Sequence, residues 1–76
     1  MEDRINNVLK QVFDLTDAEL AQNLTRADIA KWDSLTHMDL VVSLEREFNV
    51  IFEIDDIIAL NCIGNIRSVL KVKGVF

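Results

Sequence analysis

A serine lies where a polar segment of the chain gives way to an apolar, helix-periodic segment. The local sequence is Trp32-Asp33-Ser34-Leu35. A hydroxyl at the start of a helix can accept a hydrogen bond from an unpaired backbone N–H and so cap the helix. It can also carry a phosphate-linked group beside the positive end of the helix dipole. Asp33 is a second possible cap, which would leave Ser34 in the first turn.

His37 follows Ser34 by three positions, so the two side chains could face the same side of a helix. A serine beside a histidine suggests a hydrolase. A working pair also needs a group that orients the histidine and donors that stabilise an oxyanion. Asp33 and Asp39 are nearby acids, but neither clearly points at the ring, and the glycine-flanked serine of hydrolases is absent. We therefore expect no catalytic residues and a solvent-exposed His37.

Metal chemistry has little support in the sequence. Cys62 is the single cysteine and His37 the single histidine, and such a pair does not make a zinc site. Asp55 and Asp56 lack the alternating oxygen ligands and the glycine of a calcium loop. We expect no metal site. A lone cysteine also cannot form an intrachain disulfide, which fits a reducing compartment.

Apolar periodicity predicts how the chain begins. A first amphipathic helix is expected over residues 4–14, with Asp3 as its N-cap. Residues 15–33 lose the periodicity and form a long loop, with room for one helical turn at 18–21. Two apolar residues are expected to anchor the end of the loop on the core: Ile29 and Trp32.

The strongest helix prediction covers residues 34–48, because apolar residues recur there at three- and four-residue steps. A short helix is expected over residues 56–60 with Asp55 as its cap, and a last helix over residues 63–72 that stops at Gly74. The chain is predicted to be one all-α domain, residues 1–76, with three longer helices and one short helix. The apolar stripe of the 34–48 helix is predicted to contain Leu35, Met38, Leu40, Val41, Val42, Leu44 and Phe48.

Acidic residues dominate the middle of the chain. The net charge is −5, and residues 33–56 contain one base, Arg46. This charge disfavours nucleic acid and anionic membranes, which proteins bind through Lys and Arg. It suits protein partners with basic patches. No signal peptide or membrane-spanning run is evident, so we expect a monomeric cytoplasmic protein. The acids of this segment are Asp33, Asp39, Glu45, Glu47, Glu53, Asp55 and Asp56.

The sequence resembles the acyl carrier protein family over nearly its whole length. The long loop, the short helix that begins with acids and the closing Ile63-Gly64-Asn65-Ile66 run fall where that family has them. The most specific similarity lies in three segments: Asp33-Ser34-Leu35, Met38-Asp39-Leu40-Val41 and Leu44-Glu45-Arg46-Glu47-Phe48.

The resemblance implies a function and a site. Ser34 would bear 4′-phosphopantetheine taken from coenzyme A, and the transferase that attaches it would read the flanking Asp33 and Leu35. Met38 and Val42 would border the arm. The chain itself would catalyse nothing and would pass acyl thioesters between acyl-activating, acyltransferase or synthase enzymes. Residues expected to contact those enzymes are Asp39, Val42, Glu45 and Glu47.

Four positions depart from the carrier of general fatty acid synthesis: Trp32, Thr36, Arg46 and Glu53. They favour a carrier dedicated to a lipid, polyketide or cell-envelope pathway. Because the chain starts at Met1 without a linker, we expect a discrete protein rather than a module of a larger synthase. Two alternatives stay open: an aminoacyl or peptidyl carrier, and a small helical interaction domain that is never modified.

Overall fold

The computed structural model describes residues 2–75 as a small helical bundle. Three long helices and two short ones occur in this part of the chain, and the only β-type pairing there is an isolated bridge between Thr25 and Cys62. The all-α prediction is confirmed. Within residues 2–75, no helix is long and apolar enough to cross a membrane. The helices are α1 Glu2–Phe13, α2 Asp17–Leu20, α3 Ser34–Phe48, α4 Ile54–Ala59 and α5 Ile63–Val72.

Helix α1 packs one apolar face on the core through Ile5, Leu9 and Phe13. It begins earlier than the sequence predicted, so Asp3 lies inside the helix and the prediction that it caps the helix is wrong. Asp14 ends the helix because its backbone is left-handed, with φ of 57°. Apolar periodicity therefore predicted this amphipathic helix correctly and located each of its ends to within two residues.

The long loop is held in place by contacts along its length. Thr16 and Glu19 form a reciprocal capping box that starts α2 in the stretch where a single turn was expected. Further along, Ile63 N donates to Leu24 O at 2.9 Å, which ties the loop to the start of α5. Ile29 and Trp32 are buried, so the two predicted anchors are confirmed.

Helix α3 has the bounds that were predicted, but its buried face is rotated from the predicted one. Leu40, Val41 and Leu44 are buried, as expected. The other predicted stripe residues turn outward or lie at the edge of the core: Leu35, Met38 and Val42 are exposed, and Phe48 is partly buried. Asn49 ends the helix in a left-handed conformation with φ of 53°.

Helices α4 and α5 close the bundle. Helix α4 begins two residues before the predicted start, with Glu53 as N-cap instead of Asp55, and the Glu53 N–H donates to the Asp56 carboxylate at 3.0 Å. Helix α5 has the predicted bounds, and Gly74 follows it with φ of 84°, a conformation that favours glycine. Lys73 at the end of α5 pairs with Asp56 of α4 at 2.7 Å.

Candidate functional site

Ser34 is the first residue of α3, and its side chain is exposed. The cap of the helix is Asp33, whose carboxylate accepts from the Thr36 N–H at 2.8 Å. Of the two interpretations that the sequence left open, the structure therefore shows the first-turn serine behind an Asp33 cap. The Ser34 hydroxyl is not used to hold the helix start.

The electrostatics of this helix start favour an anion. The first N–H groups of a 15-residue helix have no intrahelical partners and carry partial positive charge. The Thr36 N–H also holds the pKa of Asp33 below its ordinary value, because that hydrogen bond favours the ionised carboxylate. A group esterified to Ser34 would thus lie beside the positive end of α3.

Trp32 fixes the segment that leads to Ser34. Its side chain is 3% exposed, and its ring centroid lies 4.6 Å from that of Phe13 on α1. Arg26 Nε donates to the Trp32 carbonyl oxygen at 3.2 Å. The backbone two residues before Ser34 is therefore held by an apolar contact on one side and a polar contact on the other.

His37 is buried, and the prediction that it is solvent-exposed is wrong. The Trp32 indole N–H donates to its Nδ1 at 2.8 Å, and its Nε2 lies 3.0 Å from the Ile57 carbonyl oxygen on α4. Both ring nitrogens are engaged within the protein, so His37 does not serve as a base for Ser34. A hydrolase mechanism at Ser34 therefore lacks its general base. Nothing in the helical periodicity indicated this burial, because it depends on partners from the loop and from α4.

Three apolar residues in the helical turns that follow Ser34 are exposed to solvent: Leu35, Met38 and Val42. A cleft of about 180 Å³ lies between the end of α1 and residues 28–31, and none of these three side chains lines it. The resemblance implied that Met38 and Val42 border the arm. In the structure both form part of the exposed surface of α3.

The three acids expected to meet partner enzymes differ in their surroundings. Asp39 is exposed on α3. Glu45 accepts from the Phe52 N–H at 2.9 Å, and Glu47 forms an ion pair with Arg4 of α1 at 3.1 Å. Two of the three carboxylates are thus already engaged by other groups of the same chain.

Comparison with protein families agrees with this geometry. The model of the phosphopantetheine attachment site family matches residues 3–70. The chain belongs to this family. Among curated proteins and among solved structures, no match was found. Members of the phosphopantetheine attachment family are carriers, generally without catalytic activity, that interact with phosphopantetheinyl transferases and with partner enzymes.

A member of this family carries 4′-phosphopantetheine, and the residues present fit that group. The arm is joined through a phosphodiester, which needs an accessible hydroxyl and an environment that tolerates negative charge. The start of α3 provides both, through the exposed Ser34 and the N-terminal end of a long helix.

Proposed function

We propose that Ser34 is the residue to which the 4′-phosphopantetheine arm is attached. The observation that supports this most strongly is the position of its exposed hydroxyl at the start of α3, behind a cap that does not need it. The chain has two other serines. Ser43 is half-buried in the middle of α3, and the Ser68 hydroxyl donates to the Gly64 carbonyl oxygen within α5. Neither lies at the start of a helix.

We further propose that the cargo is an acyl group of a lipid, polyketide or cell-envelope pathway. The arm ends in a thiol, which holds the acyl group as a thioester. The protein's own part is positional, because the core fixes the start of α3 and α3 presents Ser34 to each enzyme. Three residues support a carrier dedicated to one pathway over the carrier of general fatty acid synthesis: the buried Trp32, Thr36 and Arg46. We propose that it acts as a monomer in the cytoplasm.

The attachment residue is tested by intact mass. The protein is incubated with coenzyme A and a promiscuous phosphopantetheinyl transferase, and the expected result is a gain of one phosphopantetheine. Ser34→Ala should show no gain. The matched controls Ser43→Ala and Ser68→Ala should gain the same mass as wild type. Equal modification of Ser34→Ala would contradict the proposal by showing that the arm is attached to another residue. No modification of wild type would favour an unmodified interaction domain.

The cargo is tested by isolating the carrier from its native cell and measuring the mass on the arm. An acyl or hydroxyacyl mass is expected. An amino acid mass on the thiol would show instead that the protein is an aminoacyl carrier.

A further inference from the structure

A cleft opens where the end of α1 meets the part of the long loop that leads to Ser34. Its volume is about 180 Å³. The lining comes from residues 13–15 and Glu19 at the end of α1 and beyond, and from residues 28–31 of the loop. We call this concavity the loop cleft.

The loop cleft lies at the same end of the bundle as Ser34. Arg4, near the start of α1, pairs with Glu47, near the end of α3, at 3.1 Å. The two helices are therefore antiparallel, and the end of α1 lies beside the start of α3. The contact between the rings of Phe13 and Trp32, with centroids 4.6 Å apart, agrees with this arrangement. A group attached to Ser34 thus begins next to the cleft.

The distance from Ser34 to the cleft is short. Lys31, a lining residue, precedes Ser34 by three positions, so their Cα atoms are at most about 11 Å apart, since a chain spans no more than about 3.6 Å per residue. The Asp33 N–H donates to the Lys31 carbonyl oxygen at 2.9 Å, which bends the segment and shortens this distance further.

The 4′-phosphopantetheine arm is long enough to cover that distance. Beyond its phosphate it contains pantoyl, β-alanyl and cysteamine units joined by amide bonds, a length of roughly 10 Å if each unit is counted as one residue. With the phosphate at the start of α3, the β-alanyl and cysteamine end of the arm therefore reaches the loop cleft.

The floor of the cleft is apolar, and its rim carries carboxylates. The methylene groups of the arm can pack on the floor, which removes their apolar surface from water. Phe13, Leu15 and Ile29 are the buried residues of the lining, and Asp14, Glu19 and Asp28 are its acids.

The rim can also accept hydrogen bonds from the amide N–H groups of the arm. Glu19 accepts from the Thr16 N–H at 3.0 Å, and Asp28 accepts from the Thr25 N–H at 3.0 Å. An ionised carboxylate offers about four lone-pair sites, so these contacts leave acceptor capacity on both acids. The cleft thus suits a chain that alternates methylene and amide groups.

The size of the cleft sets which part of the arm it can hold. A cavity of about 150 Å³ accommodates a molecule as large as benzene, so about 180 Å³ holds a few methylenes and an amide but not a long acyl chain in addition. The Lys31 ammonium pairs with the Asp14 carboxylate at 3.4 Å and so joins the loop to the end of α1. The cleft is therefore formed before the arm is attached.

We propose that the β-alanyl and cysteamine end of the arm binds in the loop cleft while the carrier is between enzymes. This inference rests on the proposed attachment at Ser34 and deepens it. The phosphate stays at the start of α3, and the arm turns back along residues 31–33 toward Ile29. A long acyl group on the thiol then lies outside the cleft.

The first test is an isotope-filtered NOE experiment. Apo protein labelled with ¹³C and ¹⁵N is loaded with unlabelled coenzyme A, so that only the arm carries unlabelled protons. NOEs are expected from the arm methylenes to the methyl groups of Ile29 and Ala30. NOEs to Met38 or Ile58 instead would place the arm on the side of α3 and α4. Absence of NOEs to any of these four would place it in solvent, and either result overturns the proposal.

Two alanines of the same loop give a matched pair of variants. Ala30 lines the cleft and Ala27 does not, and both are exposed, so leucine at either position should be tolerated by the fold. Ala30→Leu fills the cleft and is expected to abolish the NOEs to Ile29. Ala27→Leu is expected to keep them. Equal NOE intensities in the two variants would show that the arm lies elsewhere.

The second readout is the alkylation rate of the arm thiol by a maleimide. It is measured in a Cys62→Ser background, because Cys62 is the only other thiol, and serine preserves its role as the cap that accepts from the Asn65 N–H. Binding should slow alkylation about fivefold relative to free pantetheine, a ratio that corresponds to about 1 kcal/mol. Ala30→Leu should restore the free rate, and Ala27→Leu should not. A wild-type rate equal to that of free pantetheine overturns the proposal.

Failure of the attachment proposal gives a different result. If Ser34 is not the attachment residue, Ser34→Ala gains the same mass as wild type, or wild type gains none. If only the cleft proposal fails, wild type gains one phosphopantetheine, Ser34→Ala gains none, and the NOEs to Ile29 are missing.

Discussion

The indole N–H of Trp32 donates to Nδ1 of His37 at 2.8 Å inside the protein. An indole nitrogen is a donor only, so Nδ1 accepts and carries no proton. The proton of the neutral ring is then on Nε2, where it is donated to the Ile57 carbonyl oxygen at 3.0 Å. One tautomer of one histidine thereby joins the loop, α3 and α4 beside the candidate attachment residue.

The Trp32–His37 hydrogen bond is expected to stabilise the fold measurably. In a double-mutant cycle of Trp32→Phe, His37→Phe and the double variant, we expect a coupling free energy of about 1 kcal/mol, the usual net value of a buried hydrogen bond. Each single variant should cost more than this, because it leaves a buried polar group unpaired. The measurement is urea unfolding. A coupling indistinguishable from zero would show that the bond does not form in solution.

Long-range ¹H–¹⁵N NMR of the His37 ring gives an independent check of the same bond. For the neutral ring, the expected pattern is a protonated Nε2 and an unprotonated Nδ1. The opposite tautomer would contradict the donor assignment, since the Trp32 N–H would then face another N–H.

Much of the framework around Ser34 could be predicted from local sequence. The bounds of α3 and α5 were predicted correctly, because apolar spacing within a helix and the residues at its ends are local properties. Asn49 and Gly74 end these helices in left-handed conformations, as their residue types favour. The burial of Trp32 was predictable too, since a large apolar side chain in a long loop of a small domain needs a core contact.

The contacts between elements could not be predicted in this way. His37 looked like a polar surface residue because its two partners come from the loop and from α4. Leu35 and Val42 fit an apolar stripe as well as Leu40 does, and the packing of α3 against the rest of the bundle, mainly α1, decides which of its sides is buried. The pairing of Lys73 with Asp56 likewise depends on how α5 meets α4.

The orientation of α3 predicts opposite outcomes for two similar truncations. Leu40→Ala is expected to lower the free energy of unfolding by about 2–5 kcal/mol, because Leu40 is fully buried and its loss leaves a cavity. Leu35→Ala is expected to change it by less than about 0.5 kcal/mol, because Leu35 is 77% exposed. Urea unfolding of both variants checks this. Equal costs would indicate that α3 is rotated toward the face that the sequence pattern suggested.

The cap assignment predicts that Ser34, the proposed attachment residue, is dispensable for folding. Ser34→Ala is expected to change the free energy of unfolding by less than about 0.5 kcal/mol, because the Asp33 carboxylate caps the helix. If Ser34 were the cap, alanine would cost about 1 kcal/mol. Thermal unfolding of apo protein distinguishes the two. The same variant preparation then serves in the mass experiment, where absence of modification cannot be attributed to unfolding.

Stability is expected to fall at both extremes of pH for identifiable reasons. The Thr25 backbone N–H lowers the pKa of Asp28, the Thr36 N–H lowers that of Asp33, and Lys73 lowers that of Asp56. The folded state thus favours these ionised carboxylates. Their contribution is complete above the ordinary carboxyl pKa of about 4 and is lost as pH falls through the lower folded values. The hydrogen bond to Asp56 raises the pKa of Lys73. The stability that the charged Lys73 contributes is therefore lost only as pH rises through this raised pKa.

The variants Asp33→Asn and Lys73→Gln separate the two ends of this profile. Asparagine keeps a side-chain oxygen that can accept from the Thr36 N–H but cannot titrate, so Asp33→Asn should be close to wild type at neutral pH and lose less stability below pH 4. Lys73→Gln should reduce the loss of stability above pH 10. It should leave the contribution of Asp33 to stability at acidic pH unchanged. The measurement is the urea midpoint across pH. An acid slope that is the same in Asp33→Asn as in wild type would show that the Asp33 carboxylate does not bind the start of α3 in solution.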